Sequence, residues 1–168
     1  VMQEFKGKAH IFGKNINTDY IIAGKYKFKS LDMKDLSTHL MEDLRPGFYK
    51  EIEKGDFIVA GENFGMGSSR EQAPLVIQAA GCSAVIAKSF ARIFYRNCIN
   101  VGLPLIECDT SGIDEGDVLN VDLEAGIVHN LTKGKEIKTT PLPKVMVKIL
   151  NDGGLAEHFK KYGGFNLD

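Results

Sequence analysis

The chain has 168 residues, with 21 Lys+Arg against 22 Asp+Glu, a formal net charge of -1, 43% hydrophobic and 26% charged residues. That balance excludes a general nucleic-acid or membrane-surface binder, which would carry a basic excess, and no apolar run approaches the ~20 residues of a membrane span. The length fits a single domain over 1–168 with a sizeable core, and the polar start shows no signal-peptide pattern, so a cytoplasmic protein is expected.

Residues 5–12 alternate loosely and predict a first strand, followed by a loop dense in turn formers at 13–19. Within that loop Thr18 and Asp19 suit either a turn cap or a carboxylate aimed into a site. Residues 27–30 form a short basic patch that reads as a solvated face. Leu36, Leu40, Met41 and Leu44 have helical spacing, which predicts a helix over 32–44, capped by Asp32 and stopped by Arg45, Pro46 and Gly47. Residues 48–52 read as a connector. The apolar run 57–60 predicts a buried strand, and 73–80 a helix ended by Gly81. A second buried strand is expected at 83–87, a helix at 88–97 with Ile93, Phe94 and Asn97 on one side, and a third strand at 102–108. Strand–helix–strand–helix–strand over this stretch implies parallel strands with right-handed crossovers, and ligands beyond their carboxyl ends. The turns at 61–70 and 88–92 should therefore lie side by side.

The last third changes style. Residues 116–123 alternate with Leu119, Val121 and Leu123 on one face, 124–126 form a hairpin turn, and 127–131 return antiparallel. A further strand is expected at 136–140, a helix over 143–150 with Pro143 in its first turn, and a short final helix at 155–159 after Gly153 and Gly154. The three cysteines, Cys82, Cys98 and Cys108, are widely spaced in apolar surroundings and read as buried free thiols. With no Cys-x-x-Cys pair, they encode neither an iron–sulfur cluster nor a structural zinc, and no metal ligand is expected on the chain. His10, His39, His129 and His158 are scattered, and surface or capping roles are expected for them.

The turn between the 57–60 strand and the helix after it concentrates the chemistry. Three glycines, Gly61, Gly65 and Gly67, let the backbone bend sharply and approach a ligand. Ser68 and Ser69 stand where a helix N-cap is expected. Free N–H groups and the helix dipole favour an anion there, and Arg70 adds a fork that grips a carboxylate or phosphate. The Gly-x-Gly alone is a weak signal. A dinucleotide fingerprint needs a third glycine where Arg70 stands, and a P-loop needs a lysine that is absent. The plain alternative is a serine-capped turn with Arg70 as a surface charge.

Longer blocks narrow this choice. Gly65-Met-Gly-Ser-Ser-Arg-Glu-Gln-Ala73, and Ala84-Val-Ile-Ala-Lys-Ser-Phe-Ala-Arg-Ile-Phe-Tyr-Arg-Asn97 followed by Gly102-Leu-Pro-Leu, resemble the swivelling domain of the aconitase superfamily. Asn17-Thr-Asp-Tyr-Ile21 resembles its Thr-Asp-x-Ile element, while Met66 stands where many relatives carry Cys or Glu. In length the chain resembles the free-standing small subunits of the 3-isopropylmalate dehydratase and homoaconitase branch. The resemblance implies an α/β swivelling domain with a parallel strand–helix–strand core, an antiparallel hairpin and C-terminal helices. It further implies a hydro-lyase in which a large subunit, in a heterodimer or heterotetramer, holds a 4Fe–4S cluster, with no cofactor on this chain. On this resemblance Ser68 is the catalytic base, Ser69 and Arg70 hold a substrate carboxylate, and Asp19 touches substrate or orients Arg70. Glu71 and Lys88 would be structural. The loop Tyr26, Lys27, Phe28, Lys29, Ser30 and Leu31 would read the substrate's side group. Phe28 or Leu31 suits an isopropyl group and Lys27 or Lys29 a third carboxylate; the isopropylmalate isomerisation of leucine biosynthesis is the expected reaction, with a homoaconitate-type triacid and a citramalate- or dimethylmalate-like diacid as alternatives. A non-catalytic carboxylate-binding module is the competing reading from another class.

Overall fold

In a computed structural model describing residues 4–26, 32–152, 157, 160 and 161, the chain runs β1 (Glu4–Ile11), α1 (Thr18–Ile21), α2 (Met33–Ser37), α3 (Phe48–Glu51), β2 (Phe57–Ala60), α4 (Gln72–Ala79), β3 (Ala84–Ala87), α5 (Arg92–Val101), β4 (Leu105–Glu107), β5 (Val118–Asp122), β6 (Ile127–Asn130), β7 (Lys135–Lys138) and α6 (Lys144–Asn151). The strands form one seven-stranded sheet in the order β4-β3-β2-β1-β5-β6-β7. β1 to β4 are parallel, with Ala9 opposite Phe57, Phe57 opposite Ala84 and Val85 opposite Leu105. β1 pairs antiparallel with β5 on its other side, and β6 and β7 extend that half. The expected parallel core and antiparallel hairpin are both present.

β2 and β3 are buried on both faces, as parallel strands covered on each side must be. One face, with Ile58, Ala60, Val85 and Ala87, packs on Val76, Ile77, Phe94 and Cys98 of the crossover helices and on Leu36, Leu40 and Met41. The opposite face, with Phe57, Val59, Ala84 and Ile86, packs on Leu119, Val121, Val128, Ile149 and Leu150. β5 therefore shows the alternation that its sequence predicts. Among the described residues no helix is long and apolar enough to cross a membrane.

Several boundaries differ from expectation for local reasons. The helix predicted over 32–44 keeps its Asp32 cap, whose side chain accepts from Asp35 N–H, but ends at Ser37. The Ser37 and Thr38 hydroxyls donate back to the Lys34 and Asp35 carbonyls, which competes with the helix, and Met41 takes a left-handed φ of 55°. Leu44 is consequently exposed. The 48–52 connector is the short helix α3, which buries Phe48. α5 begins at Arg92, not 88, and buries Phe94, Cys98 and Ile99, leaving Ile93 on the solvent side. Gly102 ends that helix with φ 79°, so β4 starts only at Leu105. The short helix predicted at 155–159 and the residues 27–31 lie outside the described residues.

His10 corrects a further expectation. It is 4% exposed, with Nε2 2.7 Å from Asp56 Oδ2 and Nδ1 3.2 Å from Glu115 Oε2. Arg45 Nη2 donates to Glu115 Oε1 at 2.9 Å. Its guanidinium lies 4.8 Å over the Phe12 ring. His39 and His129 do pair on the surface, with Glu42 and Glu136, and His158 lies outside the described residues. Burial pushes the Asp56 carboxyl up, but hydrogen bonds from His10 and from the N–H groups of Glu53 and Lys8 outweigh it and hold its pKa below the ordinary value.

A carboxyl held low in the fold contributes stability that is present above its unfolded pKa of ~3.9 and is lost as pH falls through its folded value. Asp56→Asn should therefore cost about 3 kcal/mol at pH 7, the scale of breaking a buried pair. Denaturant titrations at pH 7 and pH 3 should show the gap between variant and parent shrinking in acid.

Candidate functional site

The turn after β2 is fastened to two neighbouring segments. Phe64 donates its N–H to the Ser89 carbonyl at 3.1 Å and accepts from Ala91 N–H at 2.9 Å, and Asn63 N–H donates to Ser89 Oγ at 2.8 Å. The 88–92 turn thus lies beside it as the topology predicts. On the other side Gly65 N–H donates to the Ile16 carbonyl at 2.8 Å and Thr18 N–H to the Met66 carbonyl at 2.9 Å. Thr18, itself buried, sends its hydroxyl to the Ser68 carbonyl at 2.6 Å.

Two glycines make this stitching sterically feasible. Gly65 has φ 86°, and an added Cβ would lie 2.3 Å from Phe94 Cγ; Gly67 has φ 94°, and its Cβ would lie 2.6 Å from the Asn17 side-chain amide. Only a residue without Cβ adopts that backbone at that distance without strain. The glycines therefore serve close packing of Phe94 and Asn17 as much as the bend itself.

Of the residues singled out from sequence, Asp19 and Arg70 meet directly. Arg70 Nη2 donates to Asp19 Oδ1 at 2.7 Å, and the same oxygen accepts from Gly24 N–H at 3.0 Å. The Asn17 side chain in turn caps α1 by accepting from Asp19 N–H at 2.9 Å. Arg70 Nε is buried without an acceptor, so the guanidinium is not fully satisfied by this chain. Ser68 and Ser69 are exposed. Asn97 Nδ2 donates to Ser69 Oγ at 3.2 Å, while the Ser68 hydroxyl has no hydrogen-bond partner among the described residues. An open cleft of about 340 Å³ adjoins Asp19, lined by Asn17, Tyr20, Ala23, Gly24, Lys25 and Asp43 as well.

The expected serine caps are absent. α4 starts at Gln72, and the flanking Glu71 makes no side-chain cap. Pro74 keeps the helix from reaching back to the serines: it has no N–H to give the Arg70 carbonyl, which accepts instead from Ala73 N–H at 3.2 Å. Ser68, Ser69 and Arg70 consequently lie in the turn ahead of the helix, and their N–H groups donate to no backbone acceptor among the described residues. The donors available at this turn are therefore these N–H groups and Arg70 rather than a serine-capped helix terminus.

Tyr26 lies apart from this turn, its hydroxyl donating to Glu42 Oε1 at 2.5 Å and its ring stacked on His39 at 4.2 Å. The Glu42 hydrogen bond pushes its pKa up to about 12. Lys27, Phe28, Lys29, Ser30 and Leu31 lie outside the described residues. Lys88 makes an ion pair with Glu62 at 3.7 Å. The three cysteines are buried and free. Burial pushes the Cys82 and Cys108 thiols up to about 12 and Cys98 well above the ordinary value. Among the described residues no three His, Cys, Asp or Glu side chains cluster closely enough to hold a metal ion.

Asn17, Thr18, Gly24 and Asn97 also bond to the site residues Asp19, Ser68 and Ser69. From sequence, Asn17 and Thr18 stood out only as turn formers within the Thr-Asp-x-Ile resemblance, Thr18 also as a turn cap, and Asn97 only as the end of the 84–97 block.

Residues 7–111 match the model of the aconitase C-terminal domain. The chain belongs to the aconitase C-terminal domain family. The matched stretch spans β1 to β4 and contains Asp19, Ser68, Ser69, Arg70 and Asn97. Similarity to individual members of the family extends further. The chain is 57% identical to the 3-isopropylmalate dehydratase small subunit 2 of Archaeoglobus fulgidus, covering 96% of this chain and 98% of that one. It is 49% identical to the methanogen homoaconitase small subunit of Methanothermobacter thermautotrophicus, covering 93% and 91%. The crystal structure of 3-isopropylmalate dehydratase (leuD) from Methanocaldococcus jannaschii superposes with a TM-score of 0.91 at 46% identity, covering 96% of each chain. The aconitase-type α/β fold expected from the motifs is therefore the fold of this family member.

Gly65→Ala should lower the unfolding free energy by about 2–4 kcal/mol, combining a strained φ with overpacking against Phe94. Gly13→Ala is the control, because nothing lies within 4 Å of its Cβ position. Urea midpoints of the two variants against the parent give the comparison.

Proposed function

We propose that this chain is the small subunit of a hydro-lyase of the 3-isopropylmalate dehydratase type. It acts on a 2-hydroxy diacid only in company with a large subunit. The observation that carries this reading is the open turn at 68–70, where two exposed hydroxyls stand next to a guanidinium clamped by Asp19. Relatives that bear the 3-isopropylmalate dehydratase name at about this level of similarity support the same substrate class. On this reading residues 1–168 are one domain, and the enzyme belongs to leucine biosynthesis in the cytoplasm.

The reaction moves a hydroxyl between adjacent carbons through a cis-unsaturated diacid. The reading assigns the 4Fe–4S cluster to the large subunit, where it would supply a Lewis acid for the leaving hydroxyl. Ser68 Oγ takes the proton from the carbon beside a carboxylate and returns it to the double bond on hydration. A neutral serine is a poor base, so its surroundings must favour negative charge. The uncommitted N–H groups of 68–70 and Arg70 act in that direction. Asp19 takes up one donor of Arg70 Nη2 and fixes the plane of the fork, and the remaining terminal N–H groups are assigned to a substrate carboxylate. Ser69 donates to that carboxylate. Asp19 is thus assigned to orienting Arg70.

A homoaconitate-type triacid is the second substrate reading, because a homoaconitase small subunit is 49% identical to the chain. The deciding assay is anaerobic hydration by the chain plus its iron–sulfur large subunit. Loss of ultraviolet absorbance would be followed for 2-isopropylmaleate, cis-homoaconitate and citraconate, with each subunit alone as control. Turnover is expected only in the mixture, fastest with 2-isopropylmaleate. Binding of a dicarboxylate by this chain alone, with no turnover in a loaded complex, would favour the binding-module reading instead.

Two substitutions sharpen the residue roles. Ser68→Ala should cut kcat at least ~100-fold, the lower range for loss of a general base, while co-elution with the large subunit is kept. Arg70→Lys should raise KM about 10-fold and lower kcat, since lysine keeps the charge and loses the fork. An unchanged KM would remove Arg70 from the substrate.

A further inference from the structure

Asn97 closes the helical block that the hydro-lyase reading leaves without a role, and it touches the site turn. Its Nδ2 lies 3.2 Å from Ser69 Oγ. An amide NH2 group only donates, whereas a serine hydroxyl both donates and accepts. Asn97 therefore occupies a lone pair of Ser69 and cannot receive its proton. Ser69 has no other hydrogen-bond partner among the described residues and is exposed, so its O–H is left for a group arriving from outside.

Asn97 is itself held by a rigid element. Phe94, one turn earlier on α5, is 2% exposed and sits in the space that a side chain at Gly65 would fill. The start of α5 is tied to the same turn by Ala91 N–H, which donates to the Phe64 carbonyl at 2.9 Å. Residues three apart on a helix share a face, so docking Phe94 on Gly65 brings Asn97 to Ser69. Ser69, by contrast, lies on a turn with no helix of its own to orient it.

We infer that Asn97 is a positioning residue for the proposed reaction: by donating to Ser69 Oγ it turns the Ser69 hydroxyl outward as a donor to the substrate carboxylate. The inference rests on the hydro-lyase reading and adds to it the residue that sets the polarity of one carboxylate contact. Loss of that orientation weakens substrate binding without touching the proton transfer at Ser68. Asn97→Asp reverses the polarity, because a carboxylate accepts the Ser69 proton and repels the substrate anion.

The test uses the assembled two-subunit enzyme and measures KM and kcat for Asn97→Ala, Asn97→Asp, Ser69→Ala and the Ser69→Ala/Asn97→Ala double variant. Asn97→Ala should raise KM about 3–10-fold, the scale of one neutral hydrogen bond, with kcat within about twofold. Asn97→Asp should raise KM further, and Asn97→Ala should add nothing in the Ser69→Ala background. Asn97→Asp is nearly isosteric and carries the test if Asn97→Ala melts early. An unchanged KM, an additive double variant, or equal falls in kcat and kcat/KM would overturn the inference while the hydro-lyase reading stands. A wild-type complex that turns over none of the three substrates overturns both.

Discussion

The stitching of residues 16–19 to the 64–70 turn is the constraint on which the site depends. Three backbone and hydroxyl bonds, from Gly65, Thr18 N–H and Thr18 Oγ1, hold the two strips together. Only then can Asp19 reach Arg70 across 51 residues of sequence. That ion pair is not itself a source of much stability. Asp19 is 60% exposed at its side chain and Arg70 18%, and a partly exposed pair of this kind is worth about 0–1 kcal/mol. Its consequence is geometric: it selects one orientation of the guanidinium, and the buried segments beneath it supply the rigidity.

Why these strips meet follows from the sheet. β1 pairs in parallel with β2 on one edge and antiparallel with β5 on the other. A strand parallel to β2 must release its chain at the same end, so the 12–19 loop and the 61–70 turn emerge together. The β3–α5 connection emerges there too, which brings Ser89 and Phe90 against Phe64. Ligand sites at the carboxyl ends of parallel strands are a general outcome of this topology. Here three consecutive connections contribute, and each is anchored to the next by backbone bonds rather than by side chains alone.

Much of this was legible from sequence because the signals were local and strong. The buried runs 57–60 and 83–87, the alternation at 118–123 and the Asp32 cap each reflect one short-range rule, and each holds in the fold. The failures came where a second rule competed. Helical spacing at Leu40 and Leu44 lost to the back-bonding hydroxyls of Ser37 and Thr38. The serine caps lost to Pro74, whose missing N–H keeps the helix, which starts at Gln72, from reaching back to Ser68 and Ser69. His10 looked like any scattered histidine, since its partners Asp56 and Glu115 lie 46 and 105 residues away. Asn97 was equally invisible, because its bond to Ser69 exists only once Phe94 has docked on Gly65.

The site that results is lopsided in a way that bears on its chemistry. Polar groups on the inner side of the turn are committed: the Ser68 carbonyl to Thr18, the Met66 carbonyl to Thr18 N–H, Asn17 to Asp19. Groups on the outer side are not. The Ser68 hydroxyl and the N–H groups of 68–70 have no acceptor among the described residues; Arg70 Nε also lacks one but is buried. A turn built for stability alone would spend its donors internally. On the hydro-lyase reading, a turn that holds its inner bonds and leaves these donors unpaired beside a clamped guanidinium is preorganised for an anion that arrives later. On the hydro-lyase reading that anion is a substrate carboxylate presented by the partner subunit, and the donors are kept free because their acceptor belongs to the assembled enzyme.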